Sequence, residues 1–155
     1  MPDSWSSDVC EVEWHKGGAN NSKGCLKIFN PVFDNPRSNG PENPQQGYLE
    51  AEKYISWSAD GTYIDFDYYA EGISNNFYAL GWSNNNGFRC ESKGAWVKGK
   101  WAHAQVKGND FKKEGEETKS ASFRNLVLVF LGVDKGAKDA YVLVDNILIT
   151  ATKKQ

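Results

Sequence analysis

The sequence predicts an all-β chain, a β-sandwich or jelly roll of two packed antiparallel sheets. Helical periodicity is hard to find anywhere, short runs of alternating apolar and polar residues recur along the whole length, and clusters of Gly, Asn, Asp and Pro separate them. About nine strands at short, regular spacing suit two sheets that face each other across one core.

The strands follow in order. Residues 9–15 and 23–30 form a first pair, joined by the turn-forming stretch "KGGANNSK". Residues 31–47 hold four of the five prolines and read as a long surface connection within one domain. Runs of strand length follow at 48–57, 62–70, 76–82, 88–96, 101–108, 123–132 and 140–150. The charged run "DFKKEGEETKS" at 110–120 reads as a solvated connection. The 155 residues suit a single domain spanning 1–155.

Composition removes several classes of function. The net charge is −2 and Lys and Arg are scattered, so no basic stripe is available to track nucleic acid. No apolar run reaches about 18 residues, which argues against a membrane span, and no charged-then-apolar leader opens the chain. Cys10, Cys25 and Cys90 are an odd count without metal-ligand spacing, which leaves the compartment open. Aromatics make up 14% of the residues, with six Trp, seven Tyr and eight Phe, more large rings than a core of this size needs. Some are expected to face solvent.

Alternation assigns faces to the strands. In "TYIDFDYYA", Ile64, Phe66, Tyr68 and Ala70 form the core set, and Tyr63, Asp65, Asp67 and Tyr69 form the other. Two carboxylates flanked by two phenols fit either a plain polar outer face or a sugar site, in which rings stack on pyranose C–H faces and acids accept from hydroxyls. In "WAHAQVKG", Ala104 and Val106 read as core, which turns His103, Gln105 and Lys107 outward. If both strands share a sheet, Asp65, Asp67, Tyr69, His103 and Gln105 line one surface. In "NNFYALGWS", Leu80 argues for burial of the set Tyr78, Leu80 and Trp82, while the turn after Trp82 would put that ring at the rim. Trp57 and Trp96 are similar rim candidates, Trp14 and Trp101 are expected to pack, and Arg89 is a candidate to bridge a hydroxyl or pair with an acid.

Three segments together resemble the jelly-roll carbohydrate-binding modules attached to polysaccharide-degrading enzymes, the group that includes families 4, 9 and 22. "HKGGANNSKGCLKI" is similar to their first hairpin, and "DGTYIDFDYYAEG" to their Gly-Lys-Thr-Tyr strand. "GKWAHAQVKG" and the closing "YVLVDNILI" look like their Gly-Glu-Trp strand and final Asp-Asp strand. The match in order and spacing runs over nearly the whole chain. The resemblance implies a non-catalytic module, cut from a larger secreted enzyme, that acts outside the cell as a monomer. It would hold a catalytic domain against a β-linked plant or algal wall glycan.

The resemblance also bears on the polar pair inside the apolar closing strand, Asp145 and Asn146. In many such modules the acid at the position of Asp145 helps to hold a structural calcium, with ligands from the first hairpin loop. The matching positions here are Gly18, Asn20 and Asn21, with Glu11 or Glu13 as further acids; the Phe-Glu pair that often supplies another ligand is missing. The alternative is that Asp145 only accepts hydrogen bonds from loop amides.

No catalytic residues are expected. Asp65 and Asp67 lie about 7 Å apart along one strand, a spacing that does not exclude a glycosidase pair. The Glu-x-Asp-x-x-Glu run of glucanase jelly rolls and the Tyr-x-Lys pattern of alginate lyases are both absent, and only two histidines are present. A protein-interaction or adhesion sandwich is the competing reading.

Overall fold

The computed structural model describes residues 5–6, 11–29, 47–51, 57–58, 60–73, 77–83, 86–91, 96–113, 116–117, 122–123, 126–130 and 140–151. The proline-rich stretch 31–46 and Cys10 lie outside these residues. Fourteen strands are described: β1 (Trp5–Ser6), β2 (Glu11–Lys16), β3 (Gly24–Phe29), β4 (Gly47–Ala51), β5 (Trp57–Ser58), β6 (Thr62–Glu71), β7 (Phe77–Ser83), β8 (Asn86–Glu91), β9 (Ala102–Lys107), β10 (Lys112–Lys113), β11 (Glu116–Glu117), β12 (Ser122–Phe123), β13 (Leu126–Phe130) and β14 (Tyr141–Ala151). The only helical pieces among the described residues are two 3-10 turns, at Ala19–Asn21 and Gly108–Asp110.

Among the described residues all strand pairings are antiparallel. Seven strands form one sheet in the order β1-β4-β13-β7-β8-β10-β11, five form a second in the order β2-β3-β14-β6-β9, and β5 pairs with β12 in a small ribbon. The chain passes between the larger sheets after β1, β3, β6, β8, β9 and β13, and between β4 and β6 by way of β5. One apolar cluster draws on both. Ile28, Ile64, Phe66, Val106, Val142 and Val144 come from the five-stranded sheet, and Phe77, Ala79, Phe88, Cys90, Leu126 and Leu128 from the seven-stranded one. The Phe66 and Phe77 rings meet edge to face across it, with centroids 4.9 Å apart.

The strand β6 alternates as its sequence requires: Thr62, Ile64, Phe66, Tyr68 and Ala70 are buried and the residues between them are not. Ala104 and Val106 of β9 are likewise core. On β7 Phe77 and Ala79 are buried in the core. The side chains of Tyr78, Leu80 and Trp82 lie outside the described residues.

Three expectations are corrected. The charged run after Asp110 is not merely a loop: Phe111 is fully buried, and β10 and β11 extend the seven-stranded sheet. Trp96 is structural, stacked on Tyr68 with centroids 4.4 Å apart, and its Nε1 donates to the Ile73 carbonyl at 2.8 Å. Trp14 does not pack into the core and is 57% exposed.

Candidate functional site

The outer face of the five-stranded sheet collects the polar residues that alternation turned away from the core. β6 and β9 are direct neighbours, in a register that sets Asp65 opposite Gln105 and Asp67 opposite His103. Side chains opposite one another in an antiparallel pair are close enough to touch. They do: His103 Nε2 lies 2.7 Å from Asp65 Oδ1, and His103 Nδ1 lies 2.8 Å from Asp67 Oδ1. Gln105 Nε2 donates to Asp65 Oδ1 at 3.0 Å. A carboxylate only accepts, so an imidazole bonded to one through each nitrogen must carry both protons. The hydrogen bonds to Asp67 and then Asp65 raise the His103 pKa above the ordinary 6.5, against a smaller opposing effect of burial.

β14, on the other side of β6, completes the cluster. It pairs Asp145 with Asp67 and Leu148 with Asp65, so two residues of β14, Asn146 and Ile147, oppose the single Phe66 of β6. That is a β-bulge. The extra residue is absorbed at Asn146, whose φ is 52°, a left-handed conformation that Asn tolerates better than other residues with a Cβ. From there Asn146 Nδ2 donates to Asp67 Oδ2 at 2.8 Å. Past the bulge, Ile147 and Ile149 pack against the core and Leu148 is 59% exposed. The polar pair in the closing strand thus marks a bulge whose two side chains serve the outer face.

Aromatic rings stand next to this cluster. Tyr69 lies nearly parallel to Tyr141 at 6.4 Å between centroids, and Trp101 meets it edge-on at 6.0 Å. The Tyr69 hydroxyl donates to Glu71 Oε1 at 3.1 Å, and this bond raises the Tyr69 pKa. Burial and the Glu71 charge raise that of Tyr141. Lys27 Nζ sits 5.0 Å from the Tyr141 ring and 3.7 Å from Glu13 Oε1. At the other end of β6, Tyr63 lies 6.0 Å from Lys107 Nζ.

Asp65, Asp67, Tyr69, Tyr63, His103 and Gln105 therefore share one face. Arg89 does not join them: it is exposed on β8 of the seven-stranded sheet, opposite Lys112. Trp57 and Trp82 are placed only through their strands, paired with Phe123 and Gly87, and their side chains lie outside the described residues. Tyr141, Trp101 and Asn146 belong to the face although sequence reasoning did not assign them to it. The parity of Tyr141 with Leu143 and Asp145 was the available signal, and it gains meaning only once β14 is known to lie beside β6.

Asp145 meets the first hairpin loop, as the resemblance implies. Its Oδ2 accepts from the Ala19 N–H at 3.0 Å and its Oδ1 from the Asn146 N–H at 2.9 Å. A side chain at Gly18 would put its Cβ 2.3 Å from Asp145 Oδ2, so glycine is what lets the loop close over the acid. Asn20 and Asn21 have φ of 51° and 63°, and both are exposed. Their conformation accounts for asparagine at these positions. A calcium site needs oxygens turned towards the ion, whereas both oxygens of Asp145 here face N–H groups. Among the described residues, no group of three or more His, Cys, Asp and Glu side chains is placed to hold a metal. The contacts that Asp145 makes are those of a hydrogen-bonded clamp. Beneath it lies Cys25, free and buried, its thiol pKa pushed up to about 11 by burial and by Asp145.

No protein-family model and no curated protein matches this sequence. Solved structures do. An exo-β-agarase superposes on 100% of this chain with a TM-score of 0.58 and 16% identity. The chain spans 24% of that enzyme's length. The family 30 carbohydrate-binding module of the cellulosomal cellulase Cel9D-Cel44B of Clostridium thermocellum superposes on 97% of this chain and 91% of its own, with a TM-score of 0.55 and 13% identity. This chain has the fold of a β-sandwich carbohydrate-binding module. A second agarase, AgWH50C, carries the same fold over 99% of this chain and 23% of the enzyme, with a TM-score of 0.51 and 14% identity. At such identities the likeness is one of architecture, and residues of the module fold must be argued from this chain's own geometry.

Proposed function

We propose that this chain is a non-catalytic glycan-binding module whose site is the outer face of the five-stranded sheet. One observation carries the reading: a cluster of hydrogen-bonding groups (Asp65, Asp67, His103, Gln105) adjoins a cluster of rings (Tyr69, Tyr141, Trp101) on a single face. A pyranose has the same two aspects, a C–H face that stacks on rings and an equatorial belt of hydroxyls that bonds to acids and amides. The pre-formed bonds among the side chains hold them in place before the sugar arrives, which lowers the ordering cost of binding.

The fold supports the reading, since the solved structures that share it include modules named for carbohydrate binding. Both carboxylates stand on one strand, tied to a single imidazole, whereas glycosidase carboxyls flank a bond from two sides. This favours binding over hydrolysis. The mechanism is effective concentration: weak sugar binding outside the cell keeps an attached catalytic domain near its polymer. A β-linked plant or algal wall glycan is the proposed ligand class, and the two agarases of matching fold put agarose first among candidates.

The test is migration in native gels cast with agarose, xylan, mixed-linkage glucan, xyloglucan, mannan, laminarin, pectin or alginate. Retardation by one class, reduced at least severalfold in Tyr69→Ala and in Gln105→Ala, is the expected result. Unretarded migration of the folded protein in every gel would overturn the reading in favour of a protein-interaction sandwich.

A further inference from the structure

The β2–β3 hairpin forms the edge of the five-stranded sheet, and Trp14 stands near its tip. Val12, on the same side of β2, packs against the core, but Trp14 projects past it and is 57% exposed. Its exposure is built. The indole lies on the backbone of Gly24, where an added Cβ would fall 2.0 Å from Trp14 Cζ2 and 2.3 Å from Cε2. Gly24 is buried and its φ is outside the left-handed region, so glycine is needed here for the space it leaves to the ring. The Ser22 hydroxyl fixes the same peptide, donating to the Gly24 carbonyl at 2.9 Å and accepting from the Gly24 N–H at 3.4 Å. One side of the indole is seated on pinned backbone and the other meets water, with the exposed polar residues His15 and Lys16 beside it in sequence and Lys23 beside Gly24.

We infer that Trp14 is a second glycan-stacking platform, separate from the proposed face and taking the C–H side of one pyranose of the same polymer. The inference rests on the reading of the chain as a glycan binder. Trp14 has the parity of the core residue Val12, whereas Glu13 and the Tyr69 face have the other, so the two sites project from opposite sides of the sheet. A whole aromatic side chain buries about 150–250 Å², and the one free side of this indole offers less than that. That matches a sugar ring and falls well short of the roughly 800 Å² per partner that a stable protein interface buries. Its orientation is fixed in advance, so stacking costs little ordering. Two weak sites on one module multiply retention on a polymer through effective concentration, although each alone is weak for a short oligosaccharide.

The experiment compares wild type, Trp14→Ala, Trp14→Phe, Gly24→Ala and Tyr69→Ala in gels cast with agarose and with mixed-linkage glucan, each variant checked for folding by its thermal transition. The Trp14 indole N–H resonance is followed in wild type during titration with agarose oligosaccharides and with glucan oligosaccharides, which needs no variant to fold. Trp14→Ala is expected to weaken retention about three- to tenfold, with Trp14→Phe between it and wild type. Gly24→Ala, which lifts the ring from its seat, is expected to weaken retention while keeping the indole. The indole resonance should shift on titration. Retention of Trp14→Ala equal to wild type, together with a stationary indole resonance and loss of binding in Tyr69→Ala, would overturn the second platform and leave the proposed face standing. Absence of binding by wild type to any of the glycans would remove both.

Discussion

The bridge from His103 to Asp65 and Asp67 predicts a stability that falls as pH rises through the raised pKa of the imidazole. Its two bonds, at 2.7 and 2.8 Å, can be donated together only by the imidazolium, because neutral imidazole has a single N–H. The His103 side chain is 57% exposed, so solvent screens each contact, and exposed ion pairs contribute about 0.2–1 kcal/mol each. The pair together is therefore worth about 1 kcal/mol. The folded pKa lies above the unfolded value of about 6.5, so this contribution is fully present below about pH 6.5 and is lost as pH rises through the folded value. For a chain of this length 1 kcal/mol corresponds to about 2–4 °C in Tm. The assay is calorimetry of wild type and His103→Gln from pH 5.5 to 9, with the His103 ring titrated by NMR. The difference in Tm between the two should be about 2–4 °C at pH 6 and close to zero at the alkaline end; comparison with His103→Gln cancels every other titrating group. A ring titrating at or below 6.5, or a difference in Tm that stays flat with pH, would refute the bridge.

The clamp at the first hairpin makes its own prediction. Asp145→Ala strands the N–H of the buried Ala19 and should cost about 1–3 kcal/mol in urea denaturation, with Asp145→Asn costing less because it keeps an acceptor. Because each Asp145 oxygen accepts an N–H, a chelator is expected to leave Tm unchanged, and a rise of several degrees on adding calcium would show a bound cation instead. At the bulge, Asn146→Ala should destabilise by about 1 kcal/mol or more through left-handed strain and the lost bond to Asp67, whereas Asn146→Gly keeps the backbone and should cost less. In the core, Tyr68→Phe leaves the Val97 N–H without the hydroxyl it bonds at 3.1 Å, a loss of about 0.5–1.5 kcal/mol by the same measurement.

Strict alternation made β6 legible in the sequence. With Ile64, Phe66, Tyr68 and Ala70 inward, the placement of Asp65, Asp67 and Tyr69 followed without any knowledge of the sheet. Bringing His103 and Gln105 to them depended on β9 lying beside β6, which alternation cannot reveal because neighbours within a sheet are set by crossovers far apart in the chain. The same long-range pairing hid Tyr141. Asn146 was visible as an oddity but not as a bulge, since an extra residue shows only against the partner strand. Trp14 was misplaced because its parity is that of a core residue, and only the shape of the sandwich edge shows that the core ends at Val12.

Chemical-shift mapping most directly tests the claim that the five-stranded sheet presents the glycan site. The labelled protein would be titrated with an oligosaccharide of whichever polymer retards it. Perturbations concentrated at Asp65, Asp67, Tyr69, His103, Gln105 and Tyr141, with little change at Phe77, Ala79 or Arg89, are the predicted result. Shifts confined to the seven-stranded sheet would contradict the account and move the binding site to the opposite face of the sandwich.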